Sequence, residues 1–450
     1  MDARPDILFQ LKAEIADFDP LKISGRIEEV GPSILTVRLP NRMLGEMCLI
    51  ESQTRCDKLL GEIIAIQGNQ AQVVCLEAAD GLSVGSRVWP LGIPHRIDPL
   101  ALRTGSIYDG FGRPIPQRPG DLGLISTTLE RGSNVIRESV APTDRPVINQ
   151  ILVTKVSVID AFMTFGRGQR IGIFAPPGCG KTTLMAQIAR GADVDVIVFG
   201  LVGERGREMT EFLEHQLDDE LRAKSICICA TSDKTAIERV RAAFTATAIA
   251  EYYRDQGKEV LLMIDSLTRL ARAQREIGLA AGEPVTAGGM TPSVYSLMPR
   301  LIERSGRSPR GTITAIYTVL MEGESITEDP VSSEAKSLLD GHVVLSLKLA
   351  EKGHFPAVNV AQSLSRVMTG LVSNQHLSLA YKARSILARC KDLELIVRLN
   401  EYQRGANSKD DLAMDILPLL EKFCRQDTRK FMDLGQSMEA LTQIVDGYHD

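Results

Sequence analysis

A lysine, two threonines and two carboxylates stand at spacings that suit work on a polyphosphate. The run Arg170-Ile-Gly-Ile-Phe-Ala-Pro-Pro-Gly-Cys-Gly-Lys-Thr-Thr183 reads as strand, turn and helix. Gly178, Cys179 and Gly180 turn the chain so that several backbone N–H groups converge. Lys181, Thr182 and Thr183 then open a helix whose positive end faces the same point. In such a concavity Lys181 would lie against the β- and γ-phosphates, and the Thr182 hydroxyl would ligate Mg²⁺. The run departs from the G-x-x-x-x-G-K-[ST] pattern at Ala175, where the first glycine is expected. Pro176 and Pro177 donate no N–H, so the cradle must begin at Gly178.

The first carboxylate ends the run Glu259-Val-Leu-Leu-Met-Ile-Asp-Ser266, a buried strand of Walker B form. Asp265 would reach the Mg²⁺ shell at the C-terminal edge of a sheet. Hydrolysis also needs a group that orients water. The residue after Asp265 is Ser266, so that group lies elsewhere. Glu204, in Val202-Gly-Glu-Arg-Gly-Arg-Glu208, follows the strand after the phosphate-loop helix and is the candidate base. From the residues alone, a solvated charged loop reads nearly as well.

These groups need a scaffold to hold them. At 450 residues the chain exceeds one ordinary core, which predicts two or three domains. No apolar run reaches membrane-spanning length and the N-terminus has no signal-peptide pattern, so a cytoplasmic protein is expected. Eight cysteines without C-x-x-C spacing predict free thiols and no structural zinc. The net charge of −5 argues against broad nucleic-acid binding.

Residues 5–18 carry apolar positions at helical spacing with an acidic polar face, a pattern that suits docking to a partner protein or an ordinary solvated helix. Alternating segments at 25–30, 34–39, 60–67, 71–76 and 86–91 predict a small closed β-barrel. Residues 94–147, rich in Gly, Pro and Arg, read as a connector. From Val156 apolar strands alternate with helices, the mark of a parallel α/β sheet. Its five expected strands are 171–174, 194–202, 225–230, 260–264 and 312–320. Beyond 347 a helical period dominates and no further strand is expected. The predicted domains are a docking segment 1–23, a barrel 24–92, an ATPase domain 93–346 and a helical domain 347–450.

Five motifs in order extend this reading: the phosphate loop, Gly203-Glu-Arg-Gly-Arg-Glu208, Met263-Ile-Asp-Ser-Leu-Thr-Arg269, Asp340-Gly-His342, and Phe355-Pro-Ala-Val-Asn-Val-Ala-Gln-Ser-Leu-Ser-Arg366. Together they resemble the type III secretion ATPases, relatives of the catalytic subunit of rotary ATP synthases. The resemblance spans about residues 24–425 and favours the injectisome branch, with a flagellar export ATPase as the alternative and a non-catalytic nucleotide-binding ring subunit or an RNA translocase ranked below it. It implies a RecA-like parallel-sheet ATPase core between an N-terminal β-barrel and a C-terminal helical domain. The activity implied is protein-secreting ATP hydrolysis with ATP and Mg²⁺ by a homohexamer at the cytoplasmic face of the inner membrane. The partners implied are stator and central-stalk proteins, chaperone–effector complexes and the export gate, with no nucleic acid. By the same resemblance Glu204 is the water-activating glutamate, Arg205 and Glu208 are its polar neighbours, with Glu208 near the metal, and Arg269 is a nearby site arginine. Phe355 falls at the adenine with Phe423 on its opposite face, and Arg366 reaches into a neighbouring copy's site. Two departures, Gly289-Met-Thr-Pro292 for the usual Gly-Tyr-Pro-Pro and Leu270 for a tyrosine, bear on coupling to substrate rather than on nucleotide binding.

Overall fold

A computed structural model describes residues 23–446 apart from 32, 52–57, 116–131, 287, 324–325 and 327–328. The expected helix at 5–18 lies outside the described residues. The chain divides into two compact units, Met1–His95 and Arg96–Asp450.

In the first unit six antiparallel strands close a barrel in the order β1-β2-β5-β4-β3-β6. They are β1 (Gly25–Val30), β2 (Ile34–Arg38), β3 (Glu46–Glu51), β4 (Lys58–Gln67), β5 (Gln70–Cys75) and β6 (Arg87–Pro94). The alternation read in the sequence is the barrel's inward face: Ile27, Leu35, Val37, Ile63, Val73 and Val88 are all buried. Gly68, at a φ of 57°, forms with Asn69 the two-residue turn joining β4 to β5. Five strands were expected and the sixth is β3, whose Met47, Cys48, Leu49, Ile50 run does not alternate. β6 also runs beyond residue 92, to Pro94.

The second unit is built on a sheet whose path is β14-β13-β8-β12-β11-β9-β10-β7. Its strands are β7 (Ile107–Tyr108), β8 (Arg170–Ala175), β9 (Val196–Val202), β10 (Ser225–Ala230), β11 (Glu259–Asp265), β12 (Thr312–Leu320), β13 (Gly341–Val344) and β14 (Leu364–Ser365). Pairing is parallel throughout this path except for β14 on β13. The central strands are near-continuous apolar runs because helices cover both faces, as a parallel sheet requires. Helices α1 (Lys181–Gly191), α2 (Ala236–Asp255) and α3 (Leu267–Ala280) each follow the C-terminal end of a strand. All three therefore start at one edge of the sheet.

Two expectations change here. The 94–147 stretch is not only a connector, since β7 pairs with β10 at the sheet edge. Strand pairing continues past residue 347, because β14 closes the other edge. Beyond β14 the chain is helical, as expected of a C-terminal helical domain. Helices α4 (Asn374–Arg398), α5 (Ser408–Cys424) and α6 (Leu434–Val445) bury Ala383, Ile386, Leu420 and Leu441 in one core with Phe162 and Ile188. Two-residue strands carry too little periodicity to announce themselves.

Candidate active site

The C-terminal edge of β8, β9, β11 and β12 gathers the site. After the buried end of β8 the chain turns through Gly178 and Gly180, at φ of 83° and 77°, a left-handed conformation that suits glycine. Gly180 is the N-cap of α1, so the first helical N–H groups point into the turn. Cys179 between them is buried, and burial raises its thiol pKa; it offers the loop its backbone. Phe355 lies alongside: a Cβ built on Gly180 would stand 3.4 Å from its ring, and 44% of Phe355 is exposed.

Lys181 reaches across the edge to Asp265, with its ammonium in contact with Oδ1 and 3.7 Å from Glu204 Oε1. The register of β11 on β12 sets Asp265 beside Thr318, whose hydroxyl donates to Oδ1 at 2.6 Å. Asp265 is thereby buried as a partnered charge, which a dry site tolerates. Arg269, in the first turn of α3, donates through Nη2 to Glu204 Oε2 at 3.1 Å and through Nη1 to the Gly203 carbonyl at 2.6 Å. Glu204 is thus gripped by one oxygen. Its other oxygen, Oε1, is buried with no hydrogen-bond partner.

Burial, and then the nearby Asp265 charge, raise the Glu204 pKa to about 7 against the opposing pull of Lys181 and Arg269. Glu208 is held below its ordinary value, chiefly by a hydrogen bond from Glu204. A group tuned close to neutrality and aimed into a cleft is suited to proton traffic. The cleft is a cavity of about 180 Å³ walled by Thr182, Thr183, Glu204, Glu208 and Asp265, with Met209 and Phe212 at its apolar back.

Arg205 and Phe423, expected at the site, lie elsewhere, while Arg366, expected in a neighbouring copy's site, stands away from its own. Arg205 turns to solvent, pairing with Glu208 at 3.3 Å, and it is Arg269 that grips Glu204. Phe423 is buried, its ring edge-on to Phe162 at 6.1 Å, so it packs the core rather than presenting a face beside Phe355. Only the chain near it approaches Phe355, through Gln426 N–H on the Phe355 carbonyl at 3.0 Å. Arg366 stands at the opposite end of the sheet. Its N–H bonds the Asp340 carbonyl at 3.0 Å, level with the start of β8. The six residues of β8 separate it from the phosphate loop by about 20 Å, farther than an arginine side chain reaches. Thr318 was the residue that sequence reasoning missed. Its one signal was a hydroxyl inside an otherwise apolar strand.

Residues 155–365 match the ATP synthase alpha/beta family nucleotide-binding domain, residues 27–92 the beta-barrel domain of the same family, and residues 372–443 the T3SS EscN ATPase C-terminal domain. The Type 3 secretion system ATPase of Pseudomonas syringae pv. tomato is 47% identical over 436 residues, covering 96% of each chain. The Flagellum-specific ATP synthase of Bacillus subtilis is 41% identical, covering 95% of this chain and 96% of the relative. Among solved structures, the assembled ATPase EscN of enteropathogenic E. coli is similar with a TM-score of 0.86 at 41% identity, covering 94% of this chain and 100% of that one. EscN in complex with its central stalk EscO is similar with a TM-score of 0.83 at 40% identity, with the same coverage.

Proposed function

The chain belongs to the type III secretion system ATPase family, and on that premise we propose how its residues divide the work of hydrolysis and export. It is an ATP hydrolase that energises type III protein export. One observation carries the chemistry: Lys181, Glu204, Asp265 and Arg269 meet at a single sheet edge beside a helix N-terminus.

Lys181 and the N–H groups from Gly178 to Thr183 bind the ATP phosphates and neutralise charge that builds as the γ-phosphoryl departs. Glu204 orients the attacking water through its free oxygen, while Arg269 fixes the carboxylate by the other. Phe355 offers the adenine an exposed ring next to the loop. Mg²⁺ fits the donor set, since the Thr182 hydroxyl and the Asp265 carboxylate are hard oxygens on one cavity wall, with Glu208 close by. When bound, the ion supplies charge neutralisation at the phosphates.

Arg366 completes the site from the next copy in a homohexameric ring. Its exposed side chain and its distance from its own phosphate loop support action in trans. The ring engages a central stalk and stator, receives chaperone–effector complexes and docks at the export gate on the cytoplasmic face of the inner membrane. No described helix is long and apolar enough to cross a membrane. The injectisome reading rests on the 47% identity to the Pseudomonas relative; the 41% identity to the Bacillus flagellar protein keeps motility as the second. Replacing the native gene by its Lys181→Ala form separates them. Lost effector export with normal swimming supports the first, and lost swimming with intact effector export supports the second.

A further inference from the structure

Gln169 is fully buried at the foot of β8, and its amide bridges three segments of chain. Its Oε1 accepts from Gly166 N–H at 2.9 Å, while Nε2 donates to the Asp340 carbonyl at 3.2 Å and to Ser365 Oγ at 3.0 Å. Ser365 Oγ in turn donates to the Thr164 carbonyl at 2.9 Å. The amide orientation follows from this network, because the Gly166 N–H can only donate. Packing is close as well: a Cβ on Gly341 would sit 2.9 Å from Nε2.

Such an amide is costly to bury unless every group is paired, and here its pairs tie three segments together. What it does specify is the geometry of the next residue. Asp340 carbonyl accepts both from Gln169 and from the Arg366 N–H, and Ser365 directly precedes Arg366. Beyond its backbone Arg366 has weak support: its guanidinium is exposed and makes one bond to the Lys336 carbonyl, at 3.4 Å. The direction of the side chain must therefore be set from its root.

We propose that Gln169 is a positioning residue, whose buried amide fixes the backbone carrying Arg366 and so sets where the guanidinium enters the neighbouring copy's nucleotide site. This inference rests on the reading of Arg366 as a residue acting in trans. Because Gln169 touches no group of its own chain's phosphate site, its loss lowers turnover and leaves nucleotide binding alone. A misplacement of about 1 Å at a catalytic group costs up to about 100-fold in rate.

The test is a double-mutant cycle on the full-length chain, in rings verified by light scattering, with kcat and KM for ATP measured for Gln169→Met, Arg366→Ala and the pair. The expected result is a kcat lower by about 10- to 100-fold in Gln169→Met with KM unchanged. The double variant should then be no slower than Arg366→Ala alone. A Gln169→Met kcat within about twofold of the parent, a KM that moves with kcat, or a double variant slower than Arg366→Ala would each overturn the inference. Normal turnover by Arg366→Ala would instead overturn the trans reading, and the inference with it. If Gln169→Met does not assemble, Ser365→Ala removes one leg of the bridge, and its smaller loss must vanish in the Arg366→Ala background.

Discussion

The two ends of the central sheet are built on opposite plans. At the C-terminal edge, charges are gathered around a cavity and left partly unsatisfied: Glu204 Oε1 has no hydrogen-bond partner and its carboxyl titrates close to neutrality. At the N-terminal edge the polar groups of Gln169 and Ser365 are buried and paired, and Arg366 alone extends from them into the open. The first plan is that of a site awaiting a ligand, which completes its hydrogen bonds. The second is that of a mount, whose bonds are complete before any ligand arrives. In the proposed arrangement one sheet carries most of its own site and one group for another, and the phosphate-loop strand β8 runs between the two ends.

Breaking each end should give distinct signatures. The largest effect is expected from Arg366→Ala, with kcat lower by about 10³- to 10⁵-fold while ATP binding and ring assembly persist, checked by steady-state kinetics beside a fluorescent-nucleotide titration. Glu204→Gln follows, with a kcat loss of about 10²- to 10⁴-fold and retained ATP binding. Near-normal turnover would remove Glu204 from its role.

A finer probe is pH. The Glu204 carboxyl must be ionised to accept a proton from water, and its pKa is raised to about 7. The acidic limb of kcat/KM should therefore fall as pH drops through about 7 rather than near the ordinary carboxylate range. Arg269→Ala removes a cation that lowers this pKa, so the limb should move to higher pH; a limb that stays put would detach Arg269 from Glu204.

The smallest effect on catalysis should come from the buried Arg304–Glu251 pair, bonded at 2.7 and 3.0 Å at the N-terminal end of the sheet, where the flanking Glu303 and Ser305 bond Arg170. Glu251→Ala strands a buried guanidinium and should cost about 3–5 kcal/mol in denaturant unfolding. At temperatures where the variant stays folded, kcat should hold.

The first plan was far more legible in the sequence than the second. The phosphate loop, Asp265 and Glu204 sit in contiguous runs whose order already implies strand, turn and helix. Thr318 and Gln169 belong to no run, since each matters through strand pairing: β11 on β12 for the former, β8 on β13 and β13 on β14 for the latter. Register of this kind is not written locally. The same holds for β3, whose unbroken apolar run could equally be a helix, and for Arg205, which the resemblance made a neighbour of Glu204 and which the turn of the chain sends to solvent beside Glu208. Arg366 was placed by resemblance, and the sheet register supplies the physical reason it cannot serve its own loop.

The most direct test is to mix two inactive proteins. Glu204→Gln supplies a sound arginine without a base, and Arg366→Ala supplies a base without an arginine. In verified mixed rings a complete site forms wherever the two adjoin in the right order, so ATPase activity should rise above that of either protein alone. Mixed rings no more active than their parents, or an Arg366→Ala protein that is already active, would contradict the division of one site between two copies.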